Sequence, residues 1–191
     1  MGITPKLDGM GRRIAIFGGT FDPVHVGHIA LVVALQEAHK LDSILIIPAN
    51  QNPHKPKSIP QEAKHRLAML KRAFRDFPYC QVLKVELDRA GPSYTIDTIR
   101  ELKAKKVIKP SDTLFLIVGE DQLEGITSWK EANLLPKLLV ASRQKNSSAA
   151  FTPNFEVSAT DIRMRLKKKM YCRHLLDNQV YNYIKRNKLY E

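Results

Sequence analysis

The chain has 191 residues, 43% hydrophobic and 26% charged, values of a globular protein long enough to bury a core in one domain. No apolar run approaches a membrane span, MGITPKLDGM lacks the apolar core of a signal peptide, and Lys6 stands where a myristoylation signal carries Ser or Thr. The net charge of +12 favours polyanionic partners, without choosing among nucleic acid, acidic membrane surfaces and phosphorylated small molecules.

Residues 1–11 read as a loose polar tail, and residues 12–191 as one domain whose last part, 158–191, is helical. Arg13 to Phe17 is expected as a buried strand, Gly27 to Lys40 as a helix, and Ser43 to Ile47 as a second buried strand closed by Pro48. The proline-rich NQNPHKPKSIP is then a loop, because Pro suits neither a helix interior nor a central strand. A helix from about Gln61 to Arg75 follows, with Pro60 in its first turn and Leu67, Leu70 and Phe74 on one face. Val82 to Leu87 alternates like a strand, and Thr95 to Lys105 places Ile96, Ile99 and Leu102 at helical spacing. Thr113 to Val118 and Leu138 to Ala141 are further apolar strands, and Thr160 to Tyr190 reads as two or three helices near one end of the sheet. Strands alternating with helices predict an α/β fold, a Rossmann-like doubly wound parallel sheet with a C-terminal helical segment. Ligands of such sheets collect beyond the carboxyl ends of the strands.

The first strand runs into GGTFDPVHVGH, Gly18 to His28. Gly18 and Gly19 allow a tight turn and close approach to a ligand, and Asp22-Pro23 turns the chain. The helix beginning near Gly27 aims free N–H groups and its positive dipole end at the same place. His25 and His28, three residues apart, can grip phosphate oxygens there and steady the charge that builds on them. Packing explains one histidine at such a junction more readily than two. A zinc site would need a third ligand, and no His, Cys or Asp at convincing spacing supplies it; Cys80 and Cys172 lie far apart and suggest a reduced, cytoplasmic setting.

GGTFDPVHVGH resembles the signature of the HxGH nucleotidyltransferases, which join a nucleoside monophosphate from ATP or CTP to a phosphate acceptor. VSATDIRMRL resembles the ISSTxIR motif of bacterial members, with Ser158, Thr160 and Arg163 matching. Ser158, followed three residues later by Asp161, also reads simply as a capping box opening a helix. Within the family the resemblance is greatest to the bacterial nicotinate-nucleotide adenylyltransferases, from Arg13 to the YNYIKRNKLY close. PANQNPHK is similar to their acceptor loop (Asn50, His54, Lys55), SYTIDTI to their substrate helix (Thr95), and VGEDQLEGITSWK to their GxD…W stretch (Gly119, Asp121, Trp129). Taken alone, those segments read as a basic loop, a helix cap and a packed tryptophan. The Gly usual after the ISSTxIR helix is replaced within Lys167 to Lys169, and the Pro before the last helix is Asp177.

The resemblance implies adenylyl transfer from ATP to nicotinate mononucleotide, with Mg²⁺ accompanying ATP and no dedicated metal cage. It implies that His25, His28 and Arg163 are catalytic, and that Gly18, Gly19, Thr20, Phe21 and Gly27 join them around ATP. Gly119, Asp121, Arg143, Ser158 and Thr160 complete the ATP side, and Asn50, His54, Lys55, Thr95 and Trp129 the acceptor side. Neither a nucleic acid nor a membrane is implied as a partner. Another HxGH transferase, such as phosphopantetheine adenylyltransferase, is the alternative. A basic RNA-binding module is a weaker one, because RRM, KH and zinc-knuckle signatures are missing and aromatics reach only 7%.

Overall fold

The structure, a computed structural model, describes residues 11–53, 59–141 and 157–191. Short, nearly unbroken apolar runs form the strands β1 (Arg13–Gly19), β2 (Ser43–Pro48), β3 (Cys80–Val82), β4 (Thr113–Gly119) and β5 (Lys137–Ala141). They pair in the order β3-β2-β1-β4-β5, every pair parallel. Such runs suit parallel strands because both faces of the sheet are covered, and all six residues of β2 are buried.

Five helices supply the cover: α1 (Val26–His39), α2 (Ala63–Ala73), α3 (Thr95–Ala104), α4 (Ala159–Lys167) and α5 (Asn178–Arg186). Successive strand residues point to opposite faces, so the core divides in two. Ala15, Phe17, Ile44 and Ile46 meet Leu35 of α1, Leu70 of α2, Ile162 of α4 and Val180 of α5 on one face. Ile14, Ile16, Leu45 and Ile47 meet Ile99 and Leu102 of α3 on the other. The direction of winding reverses between β1 and β4, which opens a crevice past their carboxyl ends. No helix among the described residues is long and apolar enough to cross a membrane.

Three local expectations need correction. The third strand is Cys80–Val82, and the alternating stretch after it turns instead, with Asp88 N donating to Lys84 O at 3.0 Å. Val85 and Glu86 are buried from within that turn, so their periodicity imitates a strand. Helix α2 has Glu62 as its N-cap, which leaves Pro60 ahead of the helix. Ser158 does cap α4, accepting from Asp161 N at 3.1 Å. The Asp161 carboxylate, however, accepts from Arg165 Nε at 2.7 Å, one turn on, so the reciprocal half of the capping box is not made. The tail lies along α2 through its last helix. His65 Nδ1 and Tyr183 Oη are 2.9 Å apart, and the Arg72 guanidinium sits 4.3 Å from the centre of the Tyr183 ring.

Candidate active site

The turn after β1 carries the paired histidines. His25 is the N-cap of α1, in extended backbone geometry, and His28 stands at the third helical position. The His25 N–H donates to His28 Nδ1 at 3.2 Å, and the two rings stack with centroids 3.7 Å apart. Phe21, with φ of 51° and almost wholly buried, meets the His28 ring edge-on at 5.1 Å. Two glycines follow from this packing. A Cβ on Gly27 would lie 3.1 Å from His25 Nδ1, and one on Gly19 would lie 3.0 Å from the Phe21 ring. Gly18, by contrast, has open space where a Cβ would be, at the carboxyl end of the strand.

The second motif meets the first. Arg163 of α4 donates through Nη1 to Asp22 O at 2.6 Å and through Nη2 to Thr160 Oγ1 at 3.2 Å. Val157, just before the α4 N-cap, packs beside Gly27. The N-termini of α1 and α4 thus flank one loop, and both dipoles are positive at that end. Asp22, in a cis peptide with Pro23, accepts from Tyr190 Oη at 2.7 Å and from Gln61 N at 3.3 Å. Burial, and then Asp22, push the Tyr190 phenol far above its ordinary pKa, so it stays a donor.

On the other side of Gly18 and Gly19 opens a cleft of about 790 Å³, part of it exposed to solvent. Its wall holds Thr95 at the start of α3 and Trp129, which is half-buried. Asn52, Tyr94, Ser128 and Lys130 also line it. Lys130 Nζ donates to both oxygens of Asp97, at 3.0 and 2.9 Å, and lies 5.3 Å from the centre of the Tyr94 ring. Glu86, almost wholly buried, also lines the cleft and accepts from Thr98 Oγ1 at 2.6 Å. Burial raises its pKa, while the bonds from Thr98 and Ser93 and the charge of Arg89 oppose the rise.

Most expected residues therefore converge: Gly18, Gly19, Thr20, Phe21, His25, Gly27 and His28 along the junction from β1 to α1, Ser158, Thr160 and Arg163 against it, and Thr95 and Trp129 in the adjoining cleft. Asp121 sits on the 3₁₀ turn Glu120–Gln122 past β4 and folds back over Gly119, where an added Cβ would collide with Asp121 Oδ1. Asn50 does not line the cleft. Its N–H donates to Ser93 Oγ at 2.9 Å and its Nδ2 to Arg89 O at 3.1 Å, so it ties two loops together, and Asn52 takes the cleft-lining place. His54, Lys55 and Arg143 lie outside the described residues.

Sequence reasoning missed Glu86, Arg66 and Tyr190. Arg66 carried a readable signal. It falls with Met69, Leu70 and Ala73 on the buried stripe of α2, at spacings of three, four and seven, where a charge needs a built partner.

The cytidylyltransferase-like family matches residues 16–165. A relative from Bacillus subtilis, a nicotinate-nucleotide adenylyltransferase, is 36% identical over 94% of this chain and 99% of its own length. The chain belongs to the nicotinate-nucleotide adenylyltransferase family. A Thermus thermophilus relative reaches 38% identity over 93% of this chain and 99% of its own. Among solved structures, Plasmodium falciparum nicotinic acid mononucleotide adenylyltransferase complexed with NaAD superposes with a TM-score of 0.70. At 20% identity, over 94% of this chain and 97% of the other, that likeness speaks for the fold. In this adenylyltransferase family member, then, the paired histidines and the Trp129 cleft stand at the switch point of the shared sheet.

Proposed function

We propose that the protein transfers the adenylyl group of ATP to nicotinate mononucleotide, giving deamido-NAD and pyrophosphate in NAD biosynthesis, and that residues 12–191 form one domain for this purpose. One observation carries the reading: the two helix N-termini bearing His25, His28 and Arg163 adjoin, across Gly18 and Gly19, a cleft walled by Trp129 and Thr95. Positive helix ends and histidines suit the triphosphate, and a flat indole beside a helix start suits a pyridine ring and its carboxylate.

The chemistry needs two reactants in line and no enzyme nucleophile. An oxygen of the acceptor's 5′-phosphate attacks the α-phosphorus of ATP. The bond from that phosphorus to the bridging α–β oxygen breaks, and the electron pair leaves with pyrophosphate. Orientation of two bound reactants supplies roughly 7–11 kcal/mol of the barrier reduction. His28 accepts the His25 N–H at Nδ1, which leaves a neutral ring with its proton on Nε2 as a donor to phosphoryl oxygen. Ser158, Thr160 and Arg163 complete the phosphate side, while Gly119 and Asp121 are assigned to the ATP ribose. Thr95 and Trp129 hold the acceptor, with Asn50 positioning the loop beside them.

Nucleotidyl transfer from ATP generally uses a divalent ion, and Mg²⁺ is the ion proposed. Among the described residues no group of three or more His, Cys, Asp or Glu could cage it. Mg²⁺ binds mainly through substrate phosphates and retains several waters, so the ion would accompany ATP and would neutralise phosphate charge there. A cytoplasmic setting fits two cysteines that are both free thiols. The test is product analysis. ATP, Mg²⁺ and nicotinate mononucleotide should yield deamido-NAD and pyrophosphate in equal amounts by mass spectrometry, and ATP hydrolysis without a dinucleotide would sink the reading.

A further inference from the structure

The ladder between β1 and β2 ends at the site. Gly19 is opposite Pro48, and the last bond joining the two chains runs from Ala49 N to Gly19 O at 2.9 Å. Beyond it they diverge: one becomes the phosphate-side turn at Thr20, the other the acceptor loop at Asn50. The next two carbonyls, Thr20 O and Ala49 O, both accept from Arg66 Nη1, at 2.9 and 2.8 Å. Arg66 Nε also donates to Gln61 O at 2.9 Å, and Gln61 N donates to Asp22 Oδ1. Arg66 is 2% exposed, among the most deeply buried large side chains of the molecule. Burial works against its charge, and Asp22 opposes that effect.

We infer that Arg66 is a positioning residue for the transfer: one guanidinium sets the spacing between the loop that carries ATP and the loop that carries the acceptor. The inference rests on the proposed adenylyl transfer. A buried cation is a costly way to join two carbonyls, and an apolar residue would fill the same stripe of α2 more cheaply. What the guanidinium adds is one rigid plane, in which Nη1 donates to both carbonyls while Nε is held on Gln61 O, where a lysine offers a compact point charge on a flexible stem. In-line attack depends on that spacing, because a displacement of about 1 Å from a distant mutation can cost roughly a hundredfold in rate.

The test is Arg66→Lys beside the wild type, with active sites counted by tight-ligand titration. The readouts are kcat, both KM values, and the Kd of ATP and of nicotinate mononucleotide measured separately by calorimetry. Expected is a fall in kcat of roughly a hundredfold with each Kd within threefold of wild type, since each loop still holds its own ligand. Unchanged kcat per active site, with only a lower melting temperature, would reduce Arg66 to a structural residue and overturn the inference. Loss of affinity for one substrate alone would overturn it too, by confining Arg66 to one loop. Tyr190→Phe, at the half-buried edge of the same network, is the milder second variant: it removes one donor to Asp22 and should lower kcat severalfold at constant KM. If Arg66→Lys does not fold, a Tyr190→Phe enzyme with wild-type kcat overturns the proposal. An inactive wild type would instead remove the proposed function itself.

Discussion

Replacing His28 with alanine separates catalysis from folding, because both consequences can be sized from the structure. The ring accepts the His25 N–H at 3.2 Å, stacks on His25 at 3.7 Å and meets Phe21 edge-on at 5.1 Å. Losing a helix cap costs about 1 kcal/mol, and losing ring contacts about 0.5–1.5 kcal/mol. The sum, about 2 kcal/mol, is small against a domain stability of roughly 5–15 kcal/mol, so His28→Ala remains folded. Turnover is another matter. Removing one preorganised donor to a developing oxyanion costs about 3–4 kcal/mol, which is a hundredfold or more in kcat. The assay is single-turnover pyrophosphate release at saturating ATP and acceptor, beside a thermal melt. His28→Asn is the control: its amide oxygen can still accept the His25 N–H, so it should recover stability without recovering turnover. Near-native turnover in a folded His28→Ala protein would refute the role given to this ring.

Three further perturbations probe separate parts of the site and its frame. Gly27→Ala places a methyl 3.1 Å from His25 Nδ1 while favouring helix by about 1 kcal/mol, so kcat should fall about tenfold or more with no loss of melting temperature; a fully active variant would contradict the packing described. Trp129→Ala should raise the acceptor KM about tenfold and leave the ATP KM within twofold, from loss of roughly 1.4 kcal/mol of ring stacking, and an effect on ATP alone would reverse the assignment of the cleft. Asp112 accepts from Arg12 Nη2 at 2.7 Å and from the Arg12 and Lys109 amides, and its carboxyl is held far below the usual range, chiefly by the Arg12 hydrogen bond. Its contribution is therefore present above the unfolded carboxyl pKa of about 4 and lost as pH falls below it. Asp112→Asn should cost about 2 kcal/mol at pH 7 in denaturant melts and progressively less in acid, and a pH-independent difference would refute the linkage.

The strand–loop–helix at Gly18 to His28 was legible because chemistry and backbone demand the same letters there. A Cβ on Gly27 would crowd the His25 ring that lies over it, and that ring stacks on His28, which accepts the His25 N–H. The central strands were legible because both their faces are buried, which leaves continuous apolar runs. Val85 misled for the same reason in reverse: it is buried from a turn, and periodicity registers burial without registering hydrogen bonds. Asn50 and Asn52 differ by two positions in one loop, and only the bonds to Ser93 Oγ and Arg89 O show which is occupied with structure. Arg66 and Tyr190 act through contacts 46 and 168 residues apart in sequence, to Thr20 and Asp22, which no local pattern encodes.

The central claim is the identity of the acceptor, and initial rates of pyrophosphate release test it most directly. ATP and Mg²⁺ are supplied with nicotinate mononucleotide, nicotinamide mononucleotide or phosphopantetheine in parallel. The highest kcat/KM with nicotinate mononucleotide, lowered selectively by Trp129→Ala, is the predicted result. A higher kcat/KM with phosphopantetheine, or no release with any of the three from folded protein, would contradict the assignment of the Trp129 cleft and of the reaction.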